Sequence, residues 1–256
     1  MHPPEVRAAV LELVDAGLND CEVSRRMGVP RCTVRDMRIY RQGRPRRRPL
    51  TALTETCPRC WRWAKPMRFT TEDYAELLAL YLGDGSISQH ARTTRLRITL
   101  DAKYPVIVNE TKELLERCFP RNNVHVWQRK DNCRSVSVYS SHLVCLFPQH
   151  GLGLKHARRI LLEEWQLSAI HAAPWPFLRG CIRSDGSVFI NRTGPYEYLS
   201  YDFGNSSEDI VQLFVGVCEA LQLRQRTTRD SRGRWHVRIN RRESVDRMLQ
   251  HVGVKS

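Results

Sequence analysis

Long hydrophobic runs are missing from this sequence of 256 residues, and its start lacks the layout of a signal peptide. No stretch of about 18 apolar residues occurs, which excludes a transmembrane helix. Lysine is scarce, since 35 arginines and only six lysines make up the 41 basic residues, against 27 acidic ones. The net charge of +14 indicates an anionic polymer as partner, because arginine forks match phosphate oxygens and guanine edges. We therefore expect a nucleic-acid partner, no membrane, and a bacterial cytoplasmic, nucleoid-associated location.

Cysteine does not occur in the paired pattern of a disulfide framework. The nine cysteines are an odd number with irregular spacing, which favours reduced thiols. Cys57 and Cys60, in "CPRCW", have the spacing of two zinc ligands. A closed zinc site needs four ligands and no second pair follows, so plain thiols are favoured over a metal site.

Residues 1–42 have the pattern of a small helical domain. Two short helices are predicted around a tight turn at Gly28, with Pro30 in the first turn of the second helix and Val23 and Val34 as apolar contacts. This layout resembles the helix-turn-helix of resolvases and sigma factors, and a helical bundle of another purpose is the alternative. The helix-turn-helix hypothesis assigns four DNA-facing side chains to the second helix: Arg31, Thr33, Arg35 and Arg38.

Residues 43–71 are predicted to be a linker. The stretch "RQGRPRRRPL" at residues 41–50 contains five arginines, two prolines and one glycine, a composition that does not form a packed element. Arg44 lies in a Gly-Arg-Pro sequence similar to the centre of an AT-hook. A minor-groove arm and a solvated basic linker are both compatible with this composition.

From residue 72 onwards the chain contains the same order of elements twice. Residues 72–151 and 173–256 are each predicted as helix–strand–strand–helix–strand–strand–helix, with a bridge at 152–172 that contains a further helix. The prediction is therefore an α+β fold with an internal duplication.

An acidic residue closes the first helix of each copy, Asp84 in one and Asp185 in the other, 101 positions apart. A helix C-terminus is an unfavourable place for a carboxylate, since the helix dipole is negative there. Small residues along both helices would let them pack closely and bring the two acids together, where like charges repel. A bound divalent cation relieves both penalties, and hard oxygen ligands completed by phosphates suit Mg²⁺.

The segments "LLALYLGDG" and "LRGCIRSDG" resemble the two motif copies of LAGLIDADG homing endonucleases, whose motif ends in an acid followed by glycine. The resemblance implies a pseudo-twofold αββαββα fold in one chain, with two antiparallel sheets forming a saddle on double-stranded DNA. It also implies that Asp84 and Asp185 are the catalytic residues, hold Mg²⁺ and cut both strands at a specific site. A monomer with internal pseudo-twofold symmetry follows from the same resemblance.

Basic side chains on the predicted strands agree with a DNA saddle. The candidates for DNA contact are Arg95, Arg97, Arg129, Arg226, Arg234 and Arg238. The family also places auxiliary basic or polar groups near the metals, and Gln89, Lys103, Asn205 and Asn240 are candidates only. The alternative function is a catalytically inactive transcription regulator on the same scaffold, similar to actinobacterial sporulation regulators that join this fold to a helix-turn-helix. Retention of both aspartates favours the nuclease.

Overall fold

A computed structural model describes residues 3–39 and 70–255, which fall into two compact units. The first unit contains three helices: α1 (Pro4–Asp15), α2 (Asp20–Met27) and α3 (Arg31–Ile39). Asn19 caps α2, because its side chain accepts hydrogen bonds from the amides of Cys21 and Glu22 at 3.0 and 3.1 Å. The Glu22 carboxylate in turn accepts from the Asn19 amide, which completes a capping box.

The turn between α2 and α3 is left-handed at Gly28, where φ is +63°, a conformation that favours glycine. Val23 and Val34 are fully buried on either side of it. Helix α3 begins at Arg31, so Pro30 precedes the helix instead of lying in its first turn. The Pro30 carbonyl accepts from the amides of Thr33 and Val34.

The second unit consists of two halves with the same order of elements. The first half contains α4 (Thr71–Asp84), β1 (Gly85–Gln89), β2 (Thr94–Asp101), α5 (Pro105–Cys118), β3 (Val124–Gln128), β4 (Cys133–Ser140) and α6 (Leu143–Leu146). A 3₁₀ turn (Lys155–Ala157) and α7 (Glu164–Ala172) connect it to the second half. The second half contains α8 (Pro174–Asp185), β5 (Gly186–Thr193), β6 (Tyr196–Asn205), α9 (Glu208–Ala220), β7 (Arg226–Arg229), β8 (Trp235–Ile239) and α10 (Arg242–His251).

Each half forms one antiparallel sheet, with strand order β1-β2-β4-β3 in the first and β5-β6-β8-β7 in the second. The registers correspond, because Gly85 pairs with Ile98 and Gly186 pairs with Phe203 directly after the two motif acids. The predicted α+β fold with duplicated αββαββα halves is confirmed. Within the described ranges, no helix is long and apolar enough to cross a membrane.

The centre of this unit is the contact between α4 and α8. Every residue of α4 from position 74 to 82 is buried, because α5, α7, α8 and β2 all pack around the helix. Gly180 permits the close approach, since a Cβ built there would lie 2.6 Å from the Glu76 carbonyl oxygen and 2.7 Å from the Ala79 Cβ. Glu76 is itself buried, and its carboxylate pairs with Arg179 at 2.9 Å and with Arg183. Arg183, at the sixth place of the second motif, thus ties the helices together.

Candidate active site

A sharp corner positions the acid in each half. Asp84 is the last residue of α4 and Asp185 the last residue of α8, and each is followed by a glycine that begins a strand. A Cβ on Gly85 would lie 2.5 Å from the Tyr81 Cα, and a Cβ on Gly186 would meet the preceding helical turn in the same way. Only glycine fits such a corner, so the acid-glycine pair fixes where each carboxylate leaves its helix.

Both acids line one cleft with a volume of about 710 Å³. Residues of both halves contribute to it: Asp84, Thr99, Asp101, Cys133, Asp185, Ser187, Asp202, Gly204, Arg234, His236 and Lys255. Burial, followed by the charge of Asp185, raises the pKa of Asp84 to about 7. Burial also raises the pKa of Asp185, against opposing effects of Arg234 and Asn205. The site therefore disfavours two ionised carboxylates unless positive charge joins them.

Two partly buried lysines donate hydrogen bonds at the helix ends beside these acids. Lys155 Nζ donates to the carbonyl oxygens of Tyr81, Leu82 and Gly83 at the end of α4, the last two at 2.9 Å. Lys255 Nζ donates to the carbonyls of Ser184 and Gly186 at 2.8 and 2.9 Å, at the end of α8. The carbonyls of Leu82, Gly83 and Ser184 lie in the last turns of the two helices, where the negative end of the helix dipole is located.

The same lysines are themselves affected by burial, which lowers the pKa of Lys155 to about 8 and also lowers the pKa of Lys255. In both cases the two motif acids oppose this shift. Each half thus places one ammonium group and one carboxylate at the end of its motif helix.

Sequence reasoning missed these lysines, although a repeat could have revealed them. Gly153-Leu154-Lys155 is matched 100 residues later by Gly253-Val254-Lys255. Both glycines have positive φ, +81° and +79°. The two tripeptides therefore turn the chain alike before each lysine reaches the end of its motif helix.

The two acids have different neighbours. Asn205 Nδ2 donates to Asp185 Oδ2 at 2.7 Å, and Arg234 lies 3.7 Å from the other oxygen of this carboxylate. For Asp84, no side-chain hydrogen-bond donor occurs in the part of the chain that the structure describes. The corresponding positions of the first half, by strand register, are Leu100 and Cys133.

The other auxiliary candidates lie differently. Lys103 lines the cleft, but its ammonium group pairs with Asp101 at 3.0 Å. Gln89 is at the far end of the β1–β2 hairpin, where its amide donates to the His90 carbonyl. Asn240 lines a separate cleft beside Arg224 and Arg226. Of the four candidates, only Asn205 contacts a motif acid.

The donor set suits a hard divalent cation bound partly by its substrate. Within residues 3–39 and 70–255, no group of three His, Cys, Asp or Glu side chains is arranged to hold a metal. Asp84 and Asp185 supply carboxylate oxygens in an open cleft, and Mg²⁺ is commonly bound by one or two carboxylates together with substrate phosphates and water. The residues fit this ion when an anionic substrate completes its ligands.

The first sheet presents arginines on the face turned away from the helices, which we call its outer face. In β2 the even-numbered residues are buried in the core, so Arg95 and Arg97 lie on the outer face. The Arg95 guanidinium stacks over Trp127 at 4.5 Å and lies near the ring of Tyr139. Burial and the neighbouring Arg95 and Arg129 lower the pKa of Arg97. These like charges would be stabilised by a polyanion.

On the outer face of the second sheet, two basic side chains contact one acid. Phe203 is in the core, so Asp202 faces outward, where it contacts Arg238 at 3.6 Å and His236 at 2.8 Å. Arg226 is exposed opposite Arg238 in the adjacent strand.

The remaining predicted DNA contacts are dispersed. In the first half, Arg129 is bound to Asp131 at 2.7 Å. In the N-terminal unit, Arg31 and Arg35 are exposed on α3 and Thr33 is partly exposed, whereas Arg38 pairs with Asp20 at 3.1 Å. Arg44 and the thiols of Cys57 and Cys60 lie outside the described residues.

Comparison with known proteins gives one family and one fold. Residues 175–253 match the model of the LAGLIDADG-like domain. The homing endonuclease I-DmoI, solved in complex with DNA and manganese, has a TM-score of 0.51 and 15% identity over 72% of this chain and 97% of that one. The N-terminal LAGLIDADG domain of WhiA has a TM-score of 0.49 and 15% identity over 74% and 86%. No curated protein sequence matches the chain.

The two halves repeat the same order of elements and pack through α4 and α8, and the acid that ends each of these helices lines the same cleft. Residues 175–253 are similar to the LAGLIDADG-like domain, and the second unit shares its fold with the homing endonuclease I-DmoI.

Proposed function

We propose that this protein is a site-specific endonuclease of homing type, which hydrolyses phosphodiesters in both strands of DNA with Mg²⁺ held by Asp84 and Asp185. The observation that carries the proposal is the meeting of two partly buried acids in one open cleft, lined by outer-face residues of both sheets. Carboxylates whose ionisation is disfavoured by burial, and in the case of Asp84 also by the charge of Asp185, are typical of sites that bind a metal ion or perform chemistry.

The relatives supply the chemical context. Structures of I-DmoI contain DNA together with manganese or calcium, and a variant was solved with magnesium. When bound, such an ion lowers the pKa of a water molecule and stabilises charge on the phosphate and the leaving oxygen. The chain's own contribution is to hold the two carboxylates at fixed positions, since the backbone turns tightly at Gly85 and Gly186, where no Cβ fits.

Neighbouring residues have supporting roles in this proposal. Lys155 and Lys255 fix the two helix ends and place positive charge next to the acids, which favours the ionised carboxylates needed for metal binding. Asn205 orients Asp185 through the hydrogen bond to Oδ2. They act as positioning residues for the metal site.

DNA would be bound by the outer faces of both sheets. Arg95 and Arg97 form a basic surface in the first half, and Arg226, Arg234 and Arg238 supply the second. The exposed arginines Arg31 and Arg35 of α3 are proposed to bind a further DNA segment, as in a helix-turn-helix. Double-stranded DNA is therefore the proposed partner of both units.

A transcription regulator without nuclease activity is the second candidate, and one observation favours it. Protein cations already accompany the acids, because Arg234 lies 3.7 Å from Asp185 and both lysines approach the helix ends. A catalytically inactive site could keep both acids without a metal ion, because these side-chain cations compensate their charge.

The deciding experiment uses the full chain. Duplexes selected from a random library in the presence of Ca²⁺ give a bound sequence, which is then cloned into a plasmid and incubated with Mg²⁺. We expect the wild-type protein to linearise this plasmid and Asp84→Asn/Asp185→Asn to bind it without cutting. Glu116→Gln, which removes a surface acid of α5, serves as the matched control and should cut normally. Equal binding by all proteins without linearisation by any would establish the regulator instead.

A further inference from the structure

The two halves carry hairpins of unequal length after their motif acids. In the first half, β1 and β2 share five residue pairs, from Gly85–Ile98 to Gln89–Thr94. In the second half, β5 and β6 share eight pairs, from Gly186–Phe203 to Thr193–Tyr196. The registers start at equivalent positions, but residues 191–198 of the second hairpin replace the four residues 90–93 of the first, where the His90 amide donates to the Thr93 carbonyl. The second hairpin therefore extends about two residues further along each strand.

The surface of this extension differs between its two faces. Alternation from Asp202 places Tyr198 and Tyr196 on the outer face, with Asn191 directly opposite Tyr198. The two tyrosines are 45% and 62% exposed, although large aromatic side chains usually bury most of their area. The opposite face carries an ion pair between Arg192 and Glu197 at 2.7 Å.

A cleft of about 760 Å³ lies alongside the outer face of the extension. Its lining combines amides, arginines and an aromatic ring: Asn191, Tyr198, Arg224, Gln225, Arg226, Asn240 and Arg241. Among the described residues, none that lines this cleft carries a carboxylate, in contrast to the outer face around Asp202. Amides bind adenine edges, arginines bind guanine edges and phosphates, and aromatic rings contact thymine methyl groups or bases.

We propose that this extension, defined by residues 191–198, is a second-half recognition element that lengthens the DNA target on one side of the cleavage centre. At about 3.3 Å per strand residue, two further residues on each strand add up to about 7 Å, the length of about two base-pair steps. The target then has unequal arms, and base readout at the end of the longer arm depends on Asn191 and Tyr198. This inference rests on the proposed DNA binding by the outer faces.

The test selects bound duplexes from a random library with the full chain in the presence of Ca²⁺. Asn191→Ala/Tyr198→Ala removes the outer-face groups, and Arg192→Ala/Glu197→Ala removes the ion pair from the opposite face of the same hairpin as the matched control. We expect the selected sequence of the first variant to lose about two base pairs at one end, with about tenfold weaker binding to the wild-type site. The control should select the wild-type sequence.

The outcomes separate this inference from the proposed function. Any contribution of the N-terminal unit is present in all variants, so only a difference between them is attributed to the hairpin. Identical selected sequences for the wild type and Asn191→Ala/Tyr198→Ala would overturn the inference while leaving DNA binding intact. Retention of no duplex by the wild type would overturn both. Because all four side chains are exposed or partly exposed, unchanged thermal melting is expected to verify folding.

Discussion

The two halves of the second unit share strand order, register, corner glycines and lysine placement, yet they hold their acids differently. Asp185 receives a hydrogen bond from Asn205 and lies near Arg234, whereas the equivalent positions beside Asp84 carry Leu100 and Cys133. Duplication within one chain frees each half to change separately, which a symmetric dimer of identical chains does not permit. The backbone corner has stayed the same in both halves while the side chains around it have diverged.

The strongest test of this difference is removal of each acid in turn. We expect Asp84→Asn and Asp185→Asn each to lower plasmid linearisation by about 10³-fold or more, because both carboxylates are proposed to hold the metal. Bound fractions measured by fluorescence anisotropy should stay the same. If one variant cuts within tenfold of the wild type, divergence has made that half dispensable.

The contact between α4 and α8 is also asymmetric, and we expect a substitution in this contact to have the next largest effect, a loss of stability. Gly180 corresponds to Ala79 of the first half, and a Cβ at position 180 would collide with the Glu76 carbonyl oxygen. Gly180→Ala, which makes the two positions alike, should lower the free energy of unfolding by about 2 kcal/mol in urea titrations. Gly216→Ala in α9 is the control, since a Cβ at this position would have no neighbouring atom within 4 Å. The control should be neutral or stabilise by about 0.5–1 kcal/mol, and an equal loss in both would refute the close contact.

The unequal surroundings predict different pH effects on stability without metal. The pKa of Asp84 is raised from 3.8 to about 7 in the folded chain. At a pH between these two values, the folded chain keeps a proton that the unfolded chain has already released. Stability contributed by this group therefore falls as the pH rises from about 4 to about 7.

Asp84→Asn removes this loss. In EDTA at pH 8 it should raise the free energy of unfolding by about 2 kcal/mol, with little change at pH 4. Asp185→Asn should gain less, because it also gives up the contacts with Asn205 and Arg234. Equal gains from both substitutions would mean that these contacts do not distinguish the acids.

The sequence predicted the duplication and the two acids because these depend on local signals: periodicity, an acid before glycine, and repeated order. It did not predict the lysines, because Lys155 lies 71 residues beyond Asp84 and only the folded chain brings it to the end of α4. The pairing of Arg234 with Asp185 and of Arg238 with Asp202 was equally hidden, since strand register decides which arginines meet an acid. Local signals thus located the corners, and long-range contacts determine the electrostatics around them.

The smallest expected effect concerns a single hydrogen bond, which can be removed by giving the second half the residue of the first. Asn205→Leu reproduces the situation at Leu100 and deprives Asp185 Oδ2 of its donor. The pKa of Asp185 should rise further, because a hydrogen bond to the ionised form is lost and an apolar group takes its place. Carboxyl-carbon NMR titration measures this directly, with Asn191→Leu as a control on a neighbouring strand of the same sheet. An unchanged pKa of Asp185 would show that Asn205 does not hold this carboxylate, and that the two acids differ only through Arg234.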